Sequence, residues 1–125
     1  MEPRELALQY VERCGRGDFD AVAPLLAPGM KYSGPGNATE GAAAYLAVLR
    51  RIAPVWKGSE VQKVFVDGAD VCVIYDFVTD TPAGKVPIVE WVRVEGGRIA
   101  QVHLYFDRVA FKPAADALAA RAQVR

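Results

Sequence analysis

Two periodicities divide the chain. In its first half, apolar positions recur at the spacing of a helix face, and from Ser59 onward they alternate as along a strand. Leu6, Tyr10, Val11 and Cys14 share one face of a helix expected from about Pro3 to Cys14, with Pro3 suited to a first-turn position. Gly15 and Gly17 stop it, and Asp18 can cap a second, shorter helix whose stripe is Phe19, Val22, Leu25 and Leu26. Pro24 and then Pro28-Gly29 keep that helix short. Met30 to Ser33 reads as a short strand, followed by Gly34-Pro35-Gly36-Asn37, a turn-rich segment expected not to continue a sheet. Asn37 or Thr39 is placed to cap a third helix, Glu40 to about Ala53. There Tyr45, Leu46, Leu49 and Ile52 form the apolar stripe, Arg50 and Arg51 face water, and Pro54 ends the run.

The alternating half contains two hairpins. Ser59 to Val66 and Asp70 to Thr79 flank Asp67-Gly68, and the turn Thr81-Pro82-Ala83-Gly84 leads into a longer hairpin from Gly84 to Phe111, folded at Gly96-Gly97. In its first run Val86, Ile88, Glu90, Val92 and Val94 share one face, so a single carboxylate stands in an apolar row. In its second run Ala100, Val102, Leu104 and Phe106 form one face and Gln101, His103, Tyr105 and Asp107 the other. Both faces of the 70–79 strand are apolar, so the pattern allows two arrangements. Cys72, Ile74, Asp76 and Val78 face inward, or Tyr75 and Phe77 do and Asp76 faces out. A last Ala-rich segment, Ala114 to Ala122, reads as a short terminal helix. Helices first and a strand meander last predict an α+β fold, with the helices packed on one face of a curved sheet.

Composition narrows the function classes. At 125 residues the chain is read as one domain, 1–125, with fold and site sharing one core. Fifteen Lys+Arg balance fifteen Asp+Glu, and no basic patch interleaves with aromatics, so nucleic acid is not an expected partner. No apolar run approaches the roughly 20 residues of a membrane span, and the opening MEPRELALQY lacks the basic and apolar regions of a signal peptide. A cytoplasmic protein without membrane partners is the expectation, with Cys14 and Cys72 reduced and buried. One histidine and two scattered cysteines give no metal-ligand spacing, and neither a GxGxxG nor a Walker-type loop occurs, so no cofactor is expected.

The stretches YVERCGRGDFDAVAPLLAP, EGAAAYLAVL and IVEWVRVEGGRIAQVHLYFDRVAF, in this order and spacing, resemble the nuclear-transport-factor-two-like, or SnoaL-like, superfamily over nearly the whole chain. That superfamily includes ketosteroid isomerases and limonene epoxide hydrolases. The resemblance implies a cystatin-like cone, three N-terminal helices on a strongly curved, mostly antiparallel sheet, with an apolar pocket inside and often a dimer through the outer sheet face. Fold alone does not supply function, because the superfamily also hosts cyclases and noncatalytic binding modules.

Carried over by position, the ketosteroid isomerase tyrosine of the first helix corresponds to Tyr10, eight positions before Asp18. The protonated acid of its penultimate strand corresponds to Glu90 in Glu90-Trp91-Val92-Arg93, one methylene longer. Its general base corresponds to Tyr32, so the resemblance implies an oxyanion hole without the proton acceptor. The pocket-face acids and histidine of the cyclases and epoxide hydrolases correspond to Val102 and Leu104, while His103 and Asp107 alternate to the other face.

Glu90 is the leading candidate, because a carboxylate among Ile88, Val92, Leu104 and Phe106 is poorly solvated and its pKa should rise. Tyr10 would be its partner in catalysis, and Asp76 the base if it faces inward. Tyr32, Trp56, Ile88, Leu104 and Phe106 are the expected ligand-binding wall. Two functions follow from these residues. One is a cofactor-independent, isomerase-like enzyme acting on an apolar carbonyl or hydroxyl compound. The other is a noncatalytic ligand-binding or dimerisation module. Trp91 and Tyr105, with Tyr75 or Phe77, form an outer patch suited to a homodimer.

Overall fold

The computed structural model describes residues 1–123. Helix α1 spans Pro3–Gly15 and buries Leu6, Tyr10, Val11 and Cys14, the stripe expected from the spacing. Helix α2 is a single turn, Phe19–Val22, capped by Asp18, whose carboxylate accepts from the Ala21 amide at 3.3 Å. Pro24 falls in a tighter turn, Ala23–Leu25, and Leu26 already belongs to strand β1, Leu26–Gly34. The second helix is therefore shorter and the first strand longer than the pattern predicts, because proline cannot supply the amide that would extend the helix.

Beyond the turn at Pro35-Gly36 the chain does continue the sheet. Strand β2, Asn37–Glu40, pairs antiparallel with β1, Tyr32 opposite Thr39. This pairing draws Thr39 and Asn37 into a strand, so neither caps the next helix. Helix α3, Ala42–Ile52, starts after Gly41, whose φ of +94° turns the backbone and whose amide donates to the Met30 carbonyl at 2.7 Å.

Strands β3 (Gly58–Asp67), β4 (Asp70–Val78), β5 (Lys85–Glu95) and β6 (Arg98–Tyr105) form the expected antiparallel meander. Strand β1 adds parallel to β6, and the six-stranded order is β2-β1-β6-β5-β4-β3. Arg93 pairs with Gln101 but Val94 with Ile99, so Ala100 is an extra residue on β6. Below this bulge Ile99, not Ala100, occupies the buried face, while Val102 and Leu104 keep the expected one. A second irregularity lies at Gln62 in β3, and such bulges bend and twist a sheet. Helix α1 lies across β3 and β4, α3 packs over β1, and α4, Arg108–Gln123, returns beside the turn Ala53–Val55. The core fills the space between these helices and the inner sheet face.

Candidate functional site

Strand alternation places Glu90 inward between Ile88 and Val92, directly opposite Leu104 on β6 and Val73 on β4. The residue is 2% exposed. An isolated carboxylate there would lose its hydration without replacement, so what satisfies it decides the chemistry. Tyr10, brought over the sheet by α1, donates to Glu90 Oε2 at 2.5 Å. Tyr75, diagonal to Glu90 on β4, donates to Oε1 at 2.7 Å. The Tyr45 hydroxyl, from α3, makes a short hydrogen bond with that of Tyr10. Three helix and strand elements thus converge on the one acid of the inner sheet face.

Each hydroxyl has a single hydrogen, which fixes the order of donation. With Glu90 ionised, Tyr10 and Tyr75 both donate to it and Tyr45 donates to Tyr10. All three hydrogens are then spent, and Tyr45 presents a lone pair. With Glu90 protonated, its own O–H must be received by Tyr10 or Tyr75, and the displaced tyrosine hydrogen is passed on. Through Tyr10 and Tyr45 it becomes a donor for whatever lies beside Tyr45. The charge of one carboxyl therefore sets whether the cluster offers an acceptor or a donor.

Burial raises the Glu90 pKa, and the hydrogen bonds from Tyr10 and Tyr75 oppose that rise without cancelling it. Burial, and next the nearby Glu90 charge, hold the hydroxyls of Tyr10, Tyr45 and Tyr75 well above the ordinary tyrosine value. Tyr32 is pushed up to about 12 by burial first and Glu90 second, with a bond to Asn37 pulling the other way.

A cavity of about 200 Å³ opens beside this cluster, with Tyr10, Tyr45, Tyr75 and Glu90 at its polar end. Trp56, Ile88, Leu104 and Phe106 line its wall. Trp56 stacks on Phe77 at 4.6 Å between ring centres, and Phe111 meets the edge of Phe77 at 5.6 Å. The indole Nε1–H is held by the Gly58 carbonyl at 3.1 Å. Tyr32 stacks on Tyr45 at 4.8 Å and donates to Asn37 Oδ1 at 3.2 Å. That reach passes over Gly34, where a Cβ would overlap the Tyr32 hydroxyl.

Asp76 does not join the site. On β4 the buried row is Val71, Val73, Tyr75 and Phe77, and Asp76 lies on the opposite face. There Gln62 Nε2 donates to its carboxylate at 3.3 Å. Larger apolar and aromatic groups gain more from the core than a second carboxylate could, which settles the arrangement the pattern left open. Tyr75 and Phe77 accordingly leave the expected outer patch and line the cavity. Within the polar cluster, Tyr45 and Tyr75 are the residues that the sequence pattern does not assign to the site. Their signal was a tyrosine, rather than leucine or valine, within each buried row.

On the outer face His103 Nδ1 is 2.9 Å from Ser33 Oγ, and its ring lies 4.5 Å from that of Trp91. Cys14 is buried on the inner face of α1, whereas Cys72 is half-buried on the outer sheet face, and the two are free thiols. Among the described residues no group of three or more His, Cys, Asp or Glu side chains could hold a metal ion, and no helix is long and apolar enough to cross a membrane.

Residues 7–102 match the SnoaL-like domain family, and the chain belongs to it. A crystal structure of a protein from Kribbella flavida DSM 17836 is 31% identical over 91% of this chain and 93% of its own, with a TM-score of 0.82. An NTF2-like protein from Cytophaga hutchinsonii ATCC 33406 is 27% identical, covering 89% of this chain and 96% of its own, with a TM-score of 0.76. An M. tuberculosis LEH-like epoxide hydrolase shares the fold at 21% identity and a TM-score of 0.74, covering 98% and 96% of the two chains. No curated protein matches.

Proposed function

We propose that this domain binds an apolar small molecule by one oxygen, held against the Tyr10–Tyr45–Tyr75–Glu90 cluster in the inner cavity. The observation that carries the reading is a single buried carboxylate whose two oxygens are each bound by a tyrosine, at the end of an otherwise apolar cavity. Size supports a small ligand. An apolar cavity of about 150 Å³ takes up benzene, so about 200 Å³ suits a body of one or two rings rather than an enclosed steroid. The cluster accepts from a phenol when Glu90 is charged and donates to a ketone when it is neutral. Ketone affinity should therefore fall as pH rises through the Glu90 pKa, while phenol affinity changes less.

Between the two sequence-based functions, the position of Asp76 favours binding. Proton transfer at carbon needs an acceptor beside the bound molecule, distinct from the groups that stabilise the developing oxyanion. Among the described residues Glu90 is the one carboxylate lining the cavity, and it is tied up by Tyr10 and Tyr75. The isomerase-like reading rests on Glu90 itself, whose raised pKa makes it a better base once ionised. Incubating a small β,γ-unsaturated ketone with the protein in heavy water separates them. Binding without deuterium uptake fits the proposal, and Glu90-dependent uptake would replace it with the enzymatic reading.

The domain is also proposed to pair with a second copy through its outer sheet face. Phe65 (55% exposed), Tyr105 (54%) and Trp91 (39%) lie together there with Val89, a patch too apolar to be left to water at little loss.

A further inference from the structure

Among the described residues, one charged side chain besides Glu90 lines the cavity. Arg108 lies at its rim beside the turn Pro35-Gly36-Asn37. Among the described residues no carboxylate pairs with it. Its nearest acidic neighbour in sequence, Asp107, instead caps α4 by accepting from the Val109 amide at 2.9 Å. Gly36, at φ +85°, presents bare backbone to the guanidinium. A Cβ there would stand 3.2 Å from one Arg108 terminal nitrogen and 3.5 Å from the other. Arg108 also opens α4, and a cation in the first turn adds to the positive end of the helix dipole instead of offsetting it. Helix stability therefore gives no reason for an arginine here, and no ion pair does either.

We propose that Arg108 receives an anionic group of the ligand, a carboxylate in the simplest case, so that the natural ligand is an amphipathic acid. Its one- or two-ring body would fill the cavity, its hydroxyl or carbonyl oxygen would meet Tyr45 and the Glu90 cluster, and its carboxylate would emerge at the rim. A guanidinium suits this place because it can bind both carboxylate oxygens at once while remaining partly hydrated. The two polar ends would also fix which way round the ligand enters, a selection that an apolar cavity with one polar end cannot make. This inference rests on the binding reading above and adds the class of ligand.

The test uses two probes that differ only at the rim. One is a naphthol, and the other is a hydroxynaphthoic acid with hydroxyl and carboxyl at opposite ends of the ring system. Fluorescence titration into the wild type should show the acid binding about tenfold or more tightly than the naphthol, the size of a charge-assisted bond at a partly hydrated site. Arg108→Met should remove that preference and leave naphthol affinity within about twofold, Arg108→Lys should keep part of it, and added salt should weaken only the acid. Equal affinity of the two probes for the wild type would overturn the proposal. So would an Arg108→Met variant, folded by circular dichroism, that weakens both probes alike, since Arg108 would then only shape the rim. If the acid binds in an Arg108-dependent way but no probe responds to Glu90 substitution, the rim site stands and the reading of the polar end fails instead.

Discussion

The Tyr10 hydroxyl meets Glu90 Oε2 at 2.5 Å although the two residues are 80 positions apart in the chain. This bond ties the first helix to the penultimate strand and stands between burial and the full desolvation of a carboxylate. Tyr10→Phe removes one of the two donors that Glu90 has. The variant should lose about 1–3 kcal/mol of stability, since a buried acceptor is left without its partner. Tyr75→Phe should do the same, and Tyr45→Phe less, because Tyr45 contacts Glu90 only through Tyr10. Urea unfolding of the three variants checks the order.

Glu90 gives stability a definite pH dependence. Its pKa is raised in the folded state, so the folded protein binds more protons than the unfolded chain between the unfolded value, near 4.5, and the higher folded one. The stability it contributes is complete below the unfolded value and is lost as pH rises through the folded value, the reverse of a salt-bridged carboxylate. Glu90→Gln should flatten this part of the profile. Thermal melts across mildly acidic to neutral pH measure it, and a wild-type curve that rises through the same window would contradict the assignment.

Asp76 supplies a control. It faces away from the cavity, against Gln62, so Asp76→Asn should leave naphthol affinity within about twofold and stability within about 0.5 kcal/mol, as for ordinary surface changes. A large loss of binding in this variant would place the residue back in the site.

The parts of the fold legible in the sequence were those where one periodicity dominated. Glu90 could be placed inward because β5 alternates cleanly, and Tyr10 because α1 carries a single apolar stripe. The inner face of β4 was not legible. Val71, Val73, Tyr75 and Phe77 are as apolar as a row containing Cys72, Ile74 and Val78, so only packing under α1 decides between them. Strict alternation puts Ala100 on the inner face, but a bulge shifts the alternation by one residue, and nothing in Arg98-Ile99-Ala100-Gln101 announces a bulge. Strand β2 escaped notice because Asn37-Ala38-Thr39-Glu40 has neither alternation nor a β-branched run, and its partner β1 supplies the pairing. Arg108 falls within the span Gly84 to Phe111 that the pattern assigns to the second hairpin. Its position at the rim depends on where the cavity opens, which is a tertiary property.

The outer sheet face makes a prediction independent of the cavity. The protein should sediment as a dimer at tens of micromolar, and Trp91→Lys with Tyr105→Lys should yield monomers that keep naphthol binding. A wild-type monomer at that concentration would leave the exposed patch without its proposed partner.

The central claim is that Glu90 and its tyrosines bind a ligand oxygen, and one titration addresses it most directly. A fluorescent naphthol is titrated into the wild type, Glu90→Gln and Glu90→Leu, each first shown to be folded. The glutamine keeps a polar group for Tyr10 and Tyr75 and can itself accept and donate, so affinity should fall only a few-fold. Leucine leaves both tyrosines without their acceptor and reorders the cluster, so affinity should fall about tenfold or more. If Glu90→Leu binds naphthol as tightly as the wild type, the carboxyl group is a core residue with satisfied hydrogen bonds, and the cluster is no part of a binding site.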